Sequence, residues 1–400
     1  MSKGKIDSDI SGLLDRHVNT ELLDVHAVAD CFALGIPRGM GIYQRFDHKT
    51  LNALAGRLAQ LEGGEDALVF ASGMGATAAL LFSQLRHGDH FVASSRLYGG
   101  TRGIITWLAA LLELRVSVVD ITDHAEVARV CRIPGTKLLW AESISNPELT
   151  ATDIPAIRQI INECGQSVTF IIDSTFIPPV ALRPIVLGAD VVMHSLTKYY
   201  SGYSDTMGGA LIGSRVLIDK LRHPSGVASL LGSTMSSRDA LRLIRRMPGL
   251  QTRFAKASER AHHVAEILLA HGLKVHCVTL PGDPGKEVLM RMDCPWGGGV
   301  ISVEFPTEAE GVNFTNAVGA VRLGKQGLRL GRPMVSLGGA DTYVWCFTEP
   351  RVKAMKKATP FEFAPVPPGF VRIALGHGGS EPMMLRGFAS VLKSLGYRSL

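Results

Sequence analysis

The amino-acid sequence predicts an α/β protein in which helices cover both faces of a mostly parallel β-sheet. Two observations carry this prediction: short apolar runs of strand length recur, and helix-like stretches of about 10 to 15 residues separate them. Leu54, Leu58 and Leu61 show the helical spacing. Strands that alternate with such helices form βαβ units, which build parallel sheets. The six runs are Ala67–Ala71, His90–Ala93, Val116–Val119, Leu138–Ala141, Thr169–Ile172 and Val191–Met193.

The order of elements predicts three regions. Residues 1–47 form an N-terminal arm that glycine and proline interrupt around Gly35–Gly41. Residues 48–250 contain the six predicted strands and form the large domain. Residues 251–400 form a smaller α+β domain, which opens with a long helix pattern over Arg253–His271 and includes the alternating strand Val300–Phe305.

The composition excludes several classes of protein. Of 400 residues, 46% are hydrophobic and 20% are charged, and the net charge of +6 comes without a dense basic run, which argues against nucleic-acid binding. The six cysteines show no C-x-x-C spacing, so we expect free thiols in a reducing cytoplasm. The longest uncharged stretch, Ala67–Ser83, is shorter than a membrane span, and the first residues lack a secretory signal, so we expect a cytoplasmic protein.

Polar and glycine residues directly follow five of the predicted strands. Because parallel strands end at the same edge of a sheet, we expect these residues to line one ligand crevice. The five groups are Ser72 with Gly73, Ser94 to Tyr98, Glu142 with Ser143 and Asn146, Asp173 to Thr175, and His194 with Ser195, Thr197 and Lys198.

The chemistry of these groups points to pyridoxal 5′-phosphate. The glycine-rich segment that begins at Ser72 joins a strand to a helix, where free amide groups suit a phosphate. Ser195 and Thr197 can add hydroxyl donors to the same anion. Lys198 supplies an amine that forms an imine with an aldehyde, and Asp173 can pair with a protonated ring nitrogen.

Two alternatives from other function classes stay open at this point. The segment Gly73-x-Gly75-x-x-Ala78 also fits a dinucleotide-binding fingerprint, and Arg96 after the next strand can serve the 2′-phosphate of NADP in an oxidoreductase. That interpretation leaves Asp173 and Lys198 unexplained. A non-catalytic cofactor-binding regulator is the other alternative. No metal site is predicted, because the adjacent His262 and His263 point to different faces of a helix.

The sequence resembles the Cys/Met-metabolism family of pyridoxal-phosphate enzymes, which includes cystathionine γ-synthases, cystathionine lyases, methionine γ-lyases and O-acylhomoserine sulfhydrylases. The resemblance implies the fold type I of pyridoxal-phosphate-dependent transferases, with a seven-stranded, mostly parallel sheet, an N-terminal arm and a smaller C-terminal domain. It rests on eight motifs: Tyr43-Gln-Arg45, Ser72-Gly-Met-Gly-Ala76, Tyr98-Gly-Gly-Thr101, Glu142–Pro147, Asp173–Phe176, His194-Ser-Leu-Thr-Lys-Tyr199, Val335–Gly339 and Val371-Arg372.

The resemblance also implies a role for each matched residue. The catalytic residues are Lys198, which forms the Schiff base and moves protons, and Tyr98, which stacks on the cofactor ring and assists. Ser336 and Arg372 hold the substrate carboxylate. The remaining cofactor-binding residues are Gly73, Met74, Asn146, Asp173, Thr175, Ser195 and Thr197, together with Tyr43 and Arg45, which reach the phosphate of a neighbouring subunit. Shared sites of this kind imply a homodimer or homotetramer.

The implied reaction is γ-elimination or γ-replacement on an activated homoserine-type amino acid, through a vinylglycine-type intermediate. O-acylhomoserine, cystathionine or a related sulfur amino acid is the expected donor, and S-adenosylmethionine or another donor with a γ-leaving group is the alternative. Several substrate-side positions depart from the family: His48-Lys49-Thr50 replaces Asn-Pro-Thr, Gly202–Asp205 replaces Gly-His-x-Asp, and Gly100 stands where methionine γ-lyases carry cysteine. We therefore expect a specialised amino-acid enzyme at least as strongly as a housekeeping one.

Overall fold

The computed structural model describes residues 43–324 and 327–398. The predicted N-terminal arm lies outside these residues apart from its last five, 43–47. Among the described residues, the longest helix spans 21 residues and carries many charges, and no helix has the length and apolar character that a membrane span requires.

A seven-stranded sheet forms the first layer of the structure. Its strand order is β1-β7-β6-β5-β4-β2-β3, and β7 is the single strand that runs against its neighbours. The other neighbouring pairs are parallel, as the sequence predicts. The strands are β1 (Asp66–Phe70), β2 (His90–Ser94), β3 (Arg115–Val119), β4 (Thr136–Glu142), β5 (Thr169–Asp173), β6 (Val191–His194) and β7 (Gly209–Gly213).

All six predicted strands are present, and the seven-stranded sheet that the family resemblance implies is confirmed. In this part of the chain one helix precedes the first strand, and the others connect the strands or follow the last of them. They are α1 (Lys49–Glu62), α2 (Gly73–Gln84), α3 (Gly99–Leu112), α4 (His124–Cys131), α5 (Ile154–Glu163), α6 (Arg215–Arg222), α7 (Val227–Leu231) and α8 (Ser237–Arg246).

The central strands are apolar in their middle residues because helices bury both faces of the sheet. Successive side chains of a strand point to opposite faces, so β4 sends Leu139 into one core and Leu138 with Trp140 into the other. In β5, Phe170 and Ile172 lie in the first of these cores and Ile171 lies in the second. The polar residues at the ends of these strands are therefore attached to a sheet that is packed on both faces.

A second sheet of five strands follows in the chain. Its order is β12-β13-β14-β9-β8, antiparallel except between β12 and β13. The strands are β8 (Lys274–His276), β9 (Val300–Glu304), β12 (Arg332–Pro333), β13 (Tyr343–Phe347) and β14 (Phe370–Ala374), and a separate two-stranded ribbon joins β10 (Arg322–Leu323) to β11 (Leu328–Arg329). The helices are α9 (Leu250–Ala270), α10 (Pro284–Arg291), α11 (Glu308–Ala320), α12 (Glu349–Lys357) and α13 (Glu381–Ser394).

Helix α9 packs against both sheets. Its first turns place Leu250, Phe254 and Ala257 in a core of the large sheet, and its later turns place Val264 and Leu268 in the core of the second sheet. The helix begins beside the predicted boundary between residues 250 and 251. The division of the chain into domains stays a prediction, since α9 belongs to both cores.

The reversed strand β7 fixes the position of the start of α2. Gly209 begins β7 and lies against the backbone between β1 and α2. A methyl group added at Gly209 would collide with the Ser72 carbonyl and would lie 2.7 Å from the Gly73 nitrogen. Backbone atoms cannot rotate away as a side chain can, so this contact requires glycine.

We expect the Gly209→Ala substitution to lower the free energy of unfolding by about 1–3 kcal/mol, because the added methyl group overpacks a backbone contact. The control is Gly103→Ala in α3, where an added methyl group meets no atom within 4 Å. That change removes backbone entropy from the unfolded chain and is expected to raise the free energy of unfolding by about 0.5–1 kcal/mol. Urea unfolding of both variants measures the difference, and equal stabilities would contradict the packing argument.

Candidate active site

The predicted crevice forms at the carboxyl edge of the large sheet. Glu142 ends β4 and Asp173 ends β5, and the two residues pair directly across the strands. Lys198 follows β6, and Gly73 opens α2 directly after β1. The ends of these strands therefore lie along one edge of the sheet as expected, whereas His194, which the sequence analysis placed in the same crevice, is buried against Glu62 instead.

The start of α2 forms a cradle for an anion. The side chain of Ser72 caps the helix by accepting a hydrogen bond from the Gly75 amide at 3.0 Å. The amides of Gly73 and Met74 come before the first intrahelical bond, so they face outward with the positive end of the helix. Ser195 lies beside them, because a methyl group added at Gly73 would be 3.1 Å from Ser195 Cβ.

Threonine hydroxyls hold the loops that carry the predicted residues. Thr175 Oγ1 accepts a hydrogen bond from the Ser195 amide at 2.9 Å, which ties the end of β5 to the end of β6. Thr197 Oγ1 accepts from the Gly208 amide at 3.1 Å and lies 3.3 Å from the Gly208 carbonyl. This contact anchors the approach to β7, and a contact from Thr197 to a cofactor phosphate stays a prediction.

Lys198 reaches across to the second sheet's part of the chain. Its Nζ donates a hydrogen bond to Ser336 Oγ at 3.3 Å. Burial and, after it, the positive charge of Arg372 lower the pKa of Lys198 to about 8, and the carboxylate of Asp173 acts in the opposite direction. About a tenth of the amine is therefore neutral at pH 7, far more than for an exposed lysine.

Arg372 is buried beside this lysine. It donates to Asn146 Oδ1 at 3.1 Å and to the carbonyls of Val335 at 2.6 Å and Ser336 at 3.2 Å. Its Nε is also buried and has no hydrogen-bond partner among the described residues. Burial lowers the pKa of Arg372 to about 10, so the guanidinium stays charged and keeps one N–H free to donate.

Two buried carboxylates stand side by side at the ends of β4 and β5. Burial raises the pKa of Asp173, and hydrogen bonds from Thr175, whose amide donates at 3.0 Å, together with the charges of His194 and Lys198, act against this rise. Burial and the neighbouring Asp173 raise the pKa of Glu142 well above its usual range. Asp173 is therefore the one of the two that its surroundings favour as a carboxylate.

Tyr98 lies at the entrance of the crevice. Its side chain is 48% exposed and follows β2 at the start of α3. A methyl group added at Gly100 would lie 2.5 Å from the Tyr98 ring and 2.9 Å from Met74 Sδ. The absence of a side chain at Gly100 thus lets the Tyr98 ring and Met74 share this space.

Tyr43 and Arg45 lie elsewhere on the surface. Arg45 donates to the Ser229 carbonyl at 2.9 Å, and its guanidinium stacks over Phe46 at 4.3 Å from the ring centre. No contact in residues 43–324 or 327–398 joins Tyr43 or Arg45 to Lys198 or Asp173. Their predicted function in a neighbouring subunit's site stays a prediction.

Glu142 holds the site together, although the sequence analysis assigns it no role. One carboxylate oxygen accepts from the Tyr98 amide, and the other accepts from the Asn146 amide at 3.1 Å. It therefore fixes the loops that carry two predicted cofactor ligands. A charged residue inside the otherwise apolar stretch that ends β4 was the available signal, because a carboxylate is rarely buried without a purpose.

Comparison with known proteins decides the family. The sequence model of the Cys/Met metabolism PLP-dependent enzyme family matches residues 27–381. The chain belongs to this family. It is 34% identical to a methionine γ-lyase of Arabidopsis thaliana over 87% of this chain and 77% of that protein. It is 36% identical to a probable cystathionine γ-synthase of Herpetosiphon aurantiacus over 68% of this chain and 83% of that protein.

Solved structures agree with this assignment. The crystal structure of cystathionine γ-synthase from Xanthomonas oryzae pv. oryzae in complex with aminoacrylate and cysteine superposes with a TM-score of 0.79. The two sequences are 26% identical, and the match covers 95% of this chain and 92% of that one. The protein is thus a pyridoxal-phosphate-dependent enzyme with fold type I, and its relatives are carbon–sulfur lyases and γ-synthases.

Family membership removes the NADP alternative, and the structure gives a physical reason. Arg96, which that alternative assigns to a 2′-phosphate, donates to Asp120 at 2.6 Å. Its charge is already paired within the chain. The residues at the crevice instead fit pyridoxal phosphate, because an anion cradle, an amine with a lowered pKa and a buried carboxylate lie along one sheet edge.

The lowered pKa of Lys198 makes cofactor attachment depend on pH. We expect the rate at which the cofactor-free protein binds pyridoxal phosphate covalently to rise with pH and level off above about 8, because the neutral amine is the nucleophile. In the Arg372→Leu variant, the loss of a neighbouring positive charge raises the pKa of Lys198, so the profile shifts to higher pH. Rapid-mixing absorbance measures the rate.

The matched control for this experiment is Arg129→Met. Arg129 lies on α4 and pairs with Glu126 on the surface, away from the crevice. Its removal is expected to leave the pH profile unchanged. Identical profiles for the wild type and Arg372→Leu would show that the Arg372 charge does not act on Lys198.

Proposed function

We propose that the protein catalyses γ-elimination or γ-replacement on an activated homoserine-type amino acid, such as O-acylhomoserine, cystathionine or a related sulfur amino acid. The observation that carries this proposal is that Ser336 connects Lys198 to Arg372. The Ser336 hydroxyl accepts a hydrogen bond from Lys198 Nζ, and the Ser336 carbonyl accepts one from the buried Arg372 guanidinium. That network offers a base for a substrate α-proton directly beside a site for the α-carboxylate.

Ser336 and Arg372 are suited to bind the substrate carboxylate. The buried Nε of Arg372 has an N–H with no partner among the described residues, and the same guanidinium donates to the Ser336 carbonyl while the Ser336 hydroxyl accepts from Lys198. A charge-assisted hydrogen bond in a buried site is strong and directional. Asn146 and two backbone carbonyls hold the guanidinium in place, so the carboxylate meets a donor whose orientation is already fixed.

Lys198 and Asp173 are suited to the proton and charge work of this reaction. When bound, pyridoxal phosphate supplies an electron sink conjugated to the substrate Cα. Lys198 Nζ takes the proton from Cα, because burial keeps a fraction of this amine neutral. The carboxylate of Asp173 would hold a proton on the ring nitrogen of the cofactor. The amides of Gly73 and Met74 would bind its phosphate.

Tyr98 is proposed as the acid–base partner near the leaving group. Its ring lies over Gly100 and its side chain is about half exposed, so it can contact a substrate that enters from solvent. The named relatives include lyases and synthases. The relatives therefore do not identify the leaving group. An O-acylhomoserine or cystathionine is the first candidate donor, and S-adenosylmethionine or another donor with a γ-leaving group is the second.

We further propose that a second copy of the chain completes the site. The apolar residue Val335, next to Ser336 in the chain, is 64% exposed, and its neighbour Met334 is exposed as well. Tyr98 is a further exposed residue with a large apolar side chain. Tyr43 and Arg45 lie away from Lys198, and their motif matches one that reaches the neighbouring subunit's phosphate in this family. A homodimer or homotetramer with shared sites accounts for both observations.

The donor is tested with the purified holoenzyme and a set of candidate amino acids: O-acetylhomoserine, O-succinylhomoserine, cystathionine, methionine and S-adenosylmethionine. We expect an O-acylhomoserine or cystathionine to release 2-oxobutyrate, or to form a thioether when a thiol is present, at least tenfold faster than methionine. Lys198→Ala is expected to lose this activity, because no other amine replaces Nζ. Turnover of S-adenosylmethionine alone would favour the second candidate.

Shared sites predict complementation between two inactive variants. Lys198→Ala and Arg45→Ala are each expected to be inactive or strongly impaired. When the two are unfolded together and refolded as a mixture, half of the dimers combine one chain of each kind, and each of these has one complete site. About a quarter of wild-type activity should return. Absence of any recovery from two impaired variants would show that Arg45 acts within its own chain, and full activity of Arg45→Ala alone would show that it has no role in the site.

A further inference from the structure

A glutamate of α1 and a histidine of β6 form a fully buried pair, and the reaction described above does not use them. Glu62 ends α1 with 0% of its side chain exposed, and His194 ends β6 with 1% exposed. Glu62 Oε2 lies 2.9 Å from His194 Nε2. Glu62 Oε1 has no hydrogen-bond partner among the described residues, so His194 is the group that stabilises this carboxylate.

The second ring nitrogen of His194 also faces an acceptor. Nδ1 lies 3.1 Å from the carbonyl oxygen of Ser174, and a carbonyl can only accept a hydrogen bond. A neutral imidazole has one donor nitrogen and one acceptor nitrogen, so it cannot serve an ionised Glu62 and the Ser174 carbonyl together. The geometry therefore holds one additional proton, either on the imidazole as an ion pair with Glu62 or on the Glu62 carboxyl.

The groups that face the imidazole are negatively charged or neutral. Glu62 faces the ring from α1, and the charge of Asp173 acts on it from β5. Tyr200 lies edge-on at 5.4 Å between ring centres, and both burial and the Glu62 charge raise the pKa of its hydroxyl, so Tyr200 stays neutral. The ring thus has the Glu62 carboxylate on one nitrogen, the Ser174 carbonyl on the other and the Asp173 carboxylate nearby, and each of these groups attracts positive charge.

We propose that Glu62 and His194 are positioning residues of the active site. Their buried ion pair keeps a positive charge on His194, and this charge holds Asp173 in its ionised form. Neither residue touches the crevice, so neither is catalytic. The inference rests on the proposed role of Asp173 as partner of the cofactor's ring nitrogen.

The effect on Asp173 follows from its surroundings. Burial raises the pKa of Asp173, and the positive charge of His194 is one of the influences that act against this rise. Without that charge, Asp173 would keep its proton up to a higher pH. A protonated Asp173 cannot hold a protonated pyridine nitrogen, so the cofactor would bind more weakly at the lower end of the pH range.

Glu62→Gln is the variant that isolates the charge. The glutamine amide can donate to His194 Nε2 while Nδ1–H donates to the Ser174 carbonyl, so every hydrogen bond of the pair is kept with a neutral imidazole. The matched control is Glu266→Gln, which removes the carboxylate from an exposed pair in which Glu266 lies 3.4 Å from His262. Both variants lose one carboxylate beside a histidine.

The probe is pyridoxamine 5′-phosphate, which has no aldehyde and therefore binds the cofactor-free protein without reacting with Lys198. Its dissociation constant is measured by equilibrium dialysis from pH 6 to pH 9. We expect Glu62→Gln to weaken binding about tenfold at the lowest pH, with the difference from wild type closing as the pH rises and Asp173 ionises. Glu266→Gln should follow the wild type throughout.

Two results would overturn the proposal: wild-type affinity of Glu62→Gln at every pH, or a loss of the same size at every pH, which indicates a structural role alone. If Glu62→Gln fails to fold, the double variant Glu62→Leu with His194→Phe removes the pair without leaving a buried charge and should show the same pH-dependent loss. A wild-type protein that binds the probe normally but turns over no homoserine-type donor would refute the proposed substrate and leave this inference standing.

Discussion

Removal of charged groups from water at one edge of the large sheet is the constraint on which the rest of the site depends. A buried ion is unfavourable unless an opposite charge or a full set of hydrogen bonds compensates it. Lys198, Arg372, Asp173 and Glu142 meet this requirement in part, because hydrogen bonds or an opposite charge act against the effect of burial on each of them. The same burial that destabilises these charges also brings the Lys198 amine into the range where it can exchange protons near neutral pH.

This compensation depends on contacts between distant parts of the chain. Lys198 meets Ser336 across 138 residues of sequence, and Arg372 meets Asn146 across 226 residues. The large sheet supplies the lysine and the carboxylates, and the region around the second sheet supplies the arginine and the serine. The site is thus a junction between two packed bodies, and its electrostatics require both to be folded.

The sequence pattern was sufficient to predict six of the seven strands of the large sheet and several residues at its edge, for a physical reason, whereas the seventh strand was implied only by the family resemblance. Apolar runs of strand length report burial on both faces, and parallel strands end at one edge, so Asp173 and Lys198 could be placed together without knowledge of any contact. Ser336 and Arg372 show no such local signal, and the family resemblance supplied them. The partners of the Arg372 guanidinium could not be predicted, because they depend on how the two sheets pack.

Glu62 and Glu142 show where local patterns fall short. Glu62 lies at the end of an amphipathic helix, where a charged residue ordinarily faces solvent, yet its spacing of 4 and 11 residues from Leu58 and Leu51 puts it on the buried face of α1. Glu142 looks like the polar end of a strand and instead accepts hydrogen bonds from two backbone amides. In both cases the buried carboxylate is stabilised by hydrogen-bond partners that lie far away in the sequence or in another loop.

Helix α9 has a consequence for how enzymes of this architecture can diverge. Because its first turns complete one core and its later turns complete another, an inserted or deleted residue within the helix would rotate one set of apolar side chains out of register with its sheet. Evolution therefore has little freedom to adjust the angle between the two sheets through this element. New substrate preferences have to arise in the loops, such as residues 334–339 beside Lys198, while the helix that joins the two cores stays fixed in length.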